Sequence, residues 1–335
     1  MMGQRCDQLS QLGIAMPGTQ SWLFDSSLGG PPQLMWRAYK EQYLGRYGQY
    51  QHLNYHTLAG RRLGCGDLND VAIGEPRLLT EKSALECMQN RFKDGQGRPL
   101  QRLFGEDLNS EVMESVMTTA PSAVYLLKNA LGLIRDSDSD LYKLLCDLVT
   151  RIVPIYHEKF GGPFRRGFTH SHHLGAIFMT FQEREDYKCD LAGTTLAVDL
   201  CHELGHHILM VYQASDPILE SDPSTPVYSA VRRTKRAAIM AFHACFATSF
   251  MMRSCDRLVE LGVLTEYSEA YLRNSLLQFI ESQQQAFDSL DRSVKYTKVG
   301  QCLREQMGQQ LRHLKSKWPG STDAAHSYFG ISGLL

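Results

Sequence analysis

Hydrophobic residues recur at helical spacing along most of the chain. In one stretch Ala123, Leu126, Leu127, Ala130 and Leu131 follow the i, i+3, i+4, i+7 pattern of a helix that buries one face. The same pattern predicts helices over 34–50, 80–92, 111–117, 120–134, 141–155, 191–213, 229–261, 265–290 and 301–317. Asp140 and Asp190 are the predicted N-caps of the helices that follow them. The protein is therefore predicted to be predominantly helical.

One short segment has a different pattern. Residues 175–181 form a nearly continuous apolar run, which is typical of a buried strand. Glycine and proline at 161–163, and prolines at 217, 223 and 226, interrupt the helical pattern and predict loops. The pattern divides the chain into a mostly helical or irregular region (1–105), a central core (106–290) and a C-terminal helix with a tail (291–335).

Composition excludes several classes of function. The 335 residues include 35 Lys and Arg against 36 Asp and Glu, and this balance argues against a nucleic-acid-binding surface. No apolar run is long enough to span a membrane, and the first residues lack an apolar signal segment, so a cytoplasmic location is expected. The nine cysteines are widely spaced and are expected to be reduced, which leaves metal chemistry to the 12 histidines.

A metal-binding motif lies within the predicted helix 191–213. His202, Glu203 and His206 form His-Glu-x-x-His. Positions i and i+4 share one face of a helix, so both imidazoles can reach one metal ion. Glu203 can reach the open side of such a site, where a water or a substrate would bind. His207 points about 100° away from His206 and cannot share the metal.

The motif supplies two ligands, and a third has to come from elsewhere. Leu209 and Tyr212 stand where a metzincin would have glycine and histidine, so that class is excluded. His243, in the next predicted helix, is the better candidate because that helix should pack against the motif helix. Loop carboxylates remain an alternative, namely Asp216, Glu220 and Asp222.

Two arginines precede His243 by eleven and seven residues. On a continuous helix Arg232, Arg236 and His243 would lie within about 20° of one stripe. A small dicarboxylate that chelates the metal at one end could then be held by an arginine fork at the other. The alternative is that these arginines form the solvated basic start of a helix.

Five features occur in order between about 152 and 250. They are Arg151-Ile-Val-Pro154 as a helix end, Thr169 to Met179 as a serine-containing loop and strand, the motif with Asp216-Pro217, Tyr228 to Arg236 as an arginine segment, and His243-Ala-Cys-Phe. In this order they resemble the 2-oxoglutarate-dependent HExxH peptide β-hydroxylases that act in the biosynthesis of ribosomally made, post-translationally modified peptides (RiPPs). Val231, Thr234 and Ala237 stand where that family has tryptophan, an acidic residue and proline.

The resemblance implies a fold, a reaction and a set of site residues. The fold would be α+β and predominantly helical, a zincin-like core with an HExxH active-site helix, a small sheet and a second long ligand-bearing helix. Fe(II) would be bound by His202, His206 and His243, and 2-oxoglutarate by Arg232 and Arg236. Three imidazoles leave room for 2-oxoglutarate and O₂. The enzyme would hydroxylate an unactivated β carbon in a ribosomally made precursor peptide.

Under this interpretation Glu203 orients a ligand or the substrate. Ser171, His172 and His173, together with His170, either face the site as a substrate pocket or form a polar loop. Two other functions remain open. A zinc metallopeptidase would use Glu203 as its general base and pair strand 175–181 with an extended peptide. A non-catalytic scaffold would retain the fold without the chemistry.

Overall fold

The computed structural model describes residues 76–78, 110–149, 151–154, 167–169, 175–181, 189–213, 216–230 and 233–319. This part of the chain is mostly helical with a small sheet, which confirms the predicted α+β, predominantly helical class. Several predictions fall outside the described residues: the helices at 34–50 and 80–92, the tail after Pro319, and residues Ser171, His172, His173 and Arg232.

The first two described helices differ from the prediction at their ends. Helix α1, Ser110–Ser137, is one helix where two were predicted, and α2 spans Ser139–Leu148. Asp138, and not Asp140, caps α2, because its carboxylate accepts the backbone N–H of Leu141 at 3.0 Å.

The chain leaves α2 earlier than predicted and enters strand β2, Arg151–Pro154. The predicted helix 141–155 is therefore wrong beyond Leu148, as is the interpretation of 151–154 as a helix end. Ile152 and Val153 are fully buried. A short apolar run of this kind has the same hydrophobic pattern whether it is a buried strand or the last turn of a helix.

The main sheet contains β2 with three further strands: β1 Arg77–Leu78, β3 Gly167–Phe168 and β4 Ala176–Met179. Their order is β1-β2-β4-β3, with β3 antiparallel to β4 and the other pairs parallel. The predicted strand at 175–181 is confirmed as β4, and its four residues are buried. β4 pairs with β2 along all four residues and with β3 at Phe178 and Met179, so part of the edge that the peptidase hypothesis needs for an extended peptide is occupied.

Helix α3, Cys189–Gln213, carries the motif and matches its prediction, although Asp190 lies within the helix and does not precede it. The next predicted helix, 229–261, is wrong at its start. A hairpin of β5 Pro226–Ser229 and β6 Thr234–Ala237 comes first, and helix α4 spans Ala238–Leu261. The burial along β5 alternates between exposed and buried residues, which is the period of a strand and not of a helix.

Two more helices complete the described fold: α5 Glu266–Ser293 and α6 Lys298–Lys317. Both predictions are confirmed to within a few residues, and Thr265 and Thr297 cap their first turns. Helices α1 to α6 and β4 contribute to one hydrophobic core. No helix among the described residues is both long and apolar enough to cross a membrane.

Helices α3 and α4 pack closely at the centre of this core. At Gly205 a Cβ atom would come within 2.9 Å of the Cα of Ala247 and 3.0 Å of the Phe250 ring. The glycine therefore lets the two backbones approach where the motif faces α4. This close contact positions the candidate site.

Candidate metal centre

The structure brings His243 of α4 against His206 of α3. Their Nδ1 atoms are 3.3 Å apart, and their ring centroids are separated by 5.5 Å with an interplanar angle of 32°. The two residues are 37 positions apart in sequence, and the close packing at Gly205 is what places them in contact. Of the candidate third ligands, His243 is the one with a contact to the motif.

His202 lies one turn before His206 on α3. The two ring centroids are 4.8 Å apart and the rings are nearly perpendicular, at 89°. As they are placed, no group of three or more His, Cys, Asp or Glu side chains among the described residues is arranged to hold a metal ion. The described placement brings two imidazole nitrogens together, and binding of one metal ion by all three histidines would require a side-chain rearrangement. The donor types and the His206–His243 pair fit a metal.

Burial keeps the imidazoles of His206 and His243 uncharged near neutral pH. It lowers the pKa of His243 to about 4. Burial also lowers the pKa of His206 well below its usual value, and the neighbouring imidazoles and the Arg236 guanidinium disfavour a positive charge there further. A neutral imidazole is the form that coordinates a metal. These two side chains therefore do not have to release a proton to bulk solvent before a metal ion binds.

Arg236 lies near these imidazoles on a strand and not, as predicted, on the helix that carries His243. It lies on β6, so the proposed helical stripe from Arg232 through Arg236 to His243 does not exist. The physical reason is the hairpin, since the 100° periodicity applies only within a helix. Arg236 is nevertheless near enough for its charge to act on His206. The residue is half-buried.

Glu203 is held by the residue that follows β3. The Thr169 hydroxyl donates to Glu203 Oε2 and lies 3.5 Å from the Glu203 main-chain carbonyl. The side chain of Glu203 is 4% exposed. The bond ties the motif helix to the end of the sheet and fixes one carboxylate oxygen. Thr169 was predicted only as the start of the serine-containing loop and strand, and its contact with Glu203 was not, because nothing in a pattern relates residues 34 positions apart.

Gln213 was also missed by sequence analysis. Its Oε1 lies 2.7 Å from His243 Nε2, on the side of the ring away from His206. A signal was present in this case: Gln213 follows His206 by seven residues on the same helix, which places the two within about 20° of one stripe. Both nitrogens of His243 therefore contact polar side chains of α3.

His207 faces away from this cluster, as its helical position predicts. Its Nε2 lies 3.1 Å from the carbonyl oxygen of Ala176 on β4, and the residue is 1% exposed. Burial lowers the pKa of His207 to about 4, although the bond to Ala176 opposes the change. This imidazole links α3 to the sheet.

The loop carboxylates that were alternative ligands are engaged elsewhere or exposed. Asp216 Oδ1 accepts from the Ile218 N–H and the Thr297 hydroxyl, each at 2.6 Å. Asp222 Oδ1 accepts from the N–H and the hydroxyl of Ser224. Glu220 is exposed. These contacts stabilise the loop after α3 and favour His243 as the third ligand.

A scan of protein-family models and a search of curated proteins found no match to this chain. The assignment of function therefore depends on the motif, its flanking residues and the geometry of the site.

Proposed function

We propose that this protein is an Fe(II)- and 2-oxoglutarate-dependent oxygenase that hydroxylates an unactivated β carbon of a residue in a peptide. His202, His206 and His243 would hold the metal. The observation that carries the proposal is the 3.3 Å contact between the Nδ1 atoms of His206 and His243. Two uncharged imidazoles from different helices that face each other nitrogen to nitrogen are two of the donors that such a metal site requires.

Arg236 favours an oxygenase over a peptidase. A dicarboxylate that chelates the metal leaves its second carboxylate free, and a guanidinium near His206 can form charge-assisted hydrogen bonds with it. A peptidase has no need of such a group. With 2-oxoglutarate and O₂, bound Fe(II) supplies oxidative decarboxylation to succinate coupled to hydroxylation of the substrate.

The chain's own residues would position the reactants and exclude water. Thr169 holds Glu203 in place, which suits a residue that orients a ligand or the substrate. In a peptidase the same carboxylate would have to be directed at a metal-bound water. The pairing of β4 with β2, and with β3 at Phe178 and Met179, also leaves less of this strand for the peptide in that alternative. The substrate we propose is a ribosomally made precursor peptide in the cytoplasm.

Metal content and turnover test this proposal together. Full-length protein loaded with Fe(II) should hold one ion, and H243A should not. H313A is the matched control, because His313 is an exposed histidine on α6 and its loss should leave the metal in place. The parent should convert 2-oxoglutarate to succinate with O₂. Zinc-dependent cleavage of peptides without consumption of 2-oxoglutarate would establish the peptidase instead, and no metal binding would leave a scaffold.

A further inference from the structure

The end of helix α3 contacts His243 of α4 through a glutamine. Gln213 Oε1 lies 2.7 Å from His243 Nε2, while the opposite ring nitrogen, Nδ1, lies 3.3 Å from His206 Nδ1. One imidazole is therefore held from both ends by residues two turns apart on the neighbouring helix. Nothing in the motif itself requires Gln213.

The chemistry of the two groups fixes where the hydrogen is. A glutamine carbonyl oxygen only accepts hydrogen bonds, so at 2.7 Å the Nε2 of His243 has to be the donor. A neutral imidazole carries one N–H, and its other nitrogen then presents a lone pair. In His243 that nitrogen is Nδ1, which faces His206.

We propose that Gln213 is a positioning residue for the metal site: it fixes His243 in the Nε2–H tautomer and fixes the orientation of its ring, so that Nδ1 is the nitrogen presented to the metal. This inference rests on the proposed metal-binding function. In the metal-free protein the hydrogen between the two facing nitrogens then belongs to His206. Partners of this kind commonly orient ligating histidines and raise their basicity.

Contacts of Tyr212 and Asp216 anchor the chain on either side of the end of α3. The backbone N–H of Asp216 donates to the carbonyl of the buried Tyr212 at 3.0 Å, which closes the end of α3. The carboxylate of Asp216 accepts from the hydroxyl of Thr297, the N-cap of α6. The end of α3 is thus tied to α6, and the glutamine amide is presented to His243 from a fixed backbone.

The tautomer can be measured without any metal. In full-length, metal-free protein labelled with ¹⁵N-histidine, long-range ¹H–¹⁵N correlation spectra distinguish a protonated ring nitrogen from an unprotonated one, and H243N identifies the His243 signals. We expect His243 to be protonated at Nε2 in the parent. Q213E keeps an acceptor and should preserve this state, whereas Q213L should give a mixture of tautomers. Protonation at Nδ1 in the parent, or an unchanged spectrum in Q213L, would overturn the inference.

Metal affinity supplies the second readout. Titration with Co(II), followed by its visible absorption, should show affinity about 10–100-fold weaker in Q213L and close to the parent in Q213E. The matched control is Q301L, which removes an exposed glutamine of α6 and should change neither measurement. If the parent binds Co(II) and Q213L binds it equally well, the role of Gln213 is wrong and the metal site stands. If the parent binds neither Co(II) nor Fe(II), the proposed function fails, whatever tautomer His243 adopts.

Discussion

Helix α3 has two faces, and adjacent histidines on it have opposite surroundings. His206 meets the imidazole of His243 on α4, whereas His207 meets the carbonyl of Ala176 on β4. Burial lowers the pKa of both below the ordinary value. The residue type and the charge state are therefore the same, and the difference lies in the partner.

That difference separates a binding role from a structural one. The Nε2–H of His207 donates to the Ala176 carbonyl, and its buried Nδ1 has no hydrogen-bond partner among the described residues, so no second ligand faces this imidazole there. Two facing imidazole nitrogens share one hydrogen at most, so the other face keeps a donor set that a cation can use.

Replacement of His206 should have the largest effect. H206A removes one of the two facing nitrogens, and we expect stoichiometric Fe(II) binding to be lost while the far-UV circular dichroism spectrum is unchanged. Metal analysis after desalting is the measurement. H207L is the paired control, because it removes the adjacent imidazole and should keep the metal. Loss of metal in H207L with retention in H206A would reverse the roles of the two faces.

Replacement of Arg236 should change the co-substrate requirement. If its guanidinium binds the second carboxylate of 2-oxoglutarate, R236A should raise the concentration needed for half-maximal turnover by about 10–100-fold, because a hydrogen bond to a charged group contributes roughly 1.5–3 kcal/mol. Metal content should stay that of the parent. R233A is the control, since Arg233 is an exposed arginine of the same hairpin. An equal requirement in R236A and the parent would contradict the assignment.

Replacement of His207 should lower stability without changing the site. H207L leaves the buried carbonyl of Ala176 without its donor, which costs about 1–3 kcal/mol. Urea denaturation of the metal-free protein, followed by circular dichroism, gives the free energy of unfolding. An unchanged midpoint would show that this bond contributes nothing to the packing of α3 on the sheet.

Acidification should narrow the gap in stability between the parent and H207L. The pKa of His207 is about 4 in the folded protein and about 6.5 for the unperturbed side chain, so between these values the unfolded state binds one more proton. The contribution of His207 to the parent's free energy of unfolding is fully present above pH 6.5. It falls by about 1.4 kcal/mol per pH unit as the pH drops from 6.5 toward 4. H207L lacks this slope. Parallel pH profiles would be the contrary result.

Secondary structure was predicted correctly where a regular spacing of hydrophobic residues extends over many turns. It was predicted wrongly where an element has only a few residues. Helices α3, α5 and α6 have at least five turns each, and all three were found. The hairpin before α4 was missed because each strand has only four residues and the alanine-rich start of α4 continues directly from β6. Strand β2 was missed because it also has only four residues.

The candidate site shows the same limit in another form. His202 and His206 could be paired from their spacing on one helix, and His243 could be chosen because its helix should pack on the first. Thr169 could not be found, since its contact with Glu203 is set by tertiary packing alone. Arg236 was selected for a geometry that the hairpin rules out, and its charge still acts on His206.

The most direct test of the central claim, a three-histidine site that binds Fe(II) together with 2-oxoglutarate, is an anaerobic visible spectrum of the purified full-length protein. Addition of both Fe(II) and 2-oxoglutarate should give a weak charge-transfer band that saturates at one equivalent of each, and H243A should not show it. Absence of the band in a protein that binds one zinc ion and cleaves peptides would contradict the account.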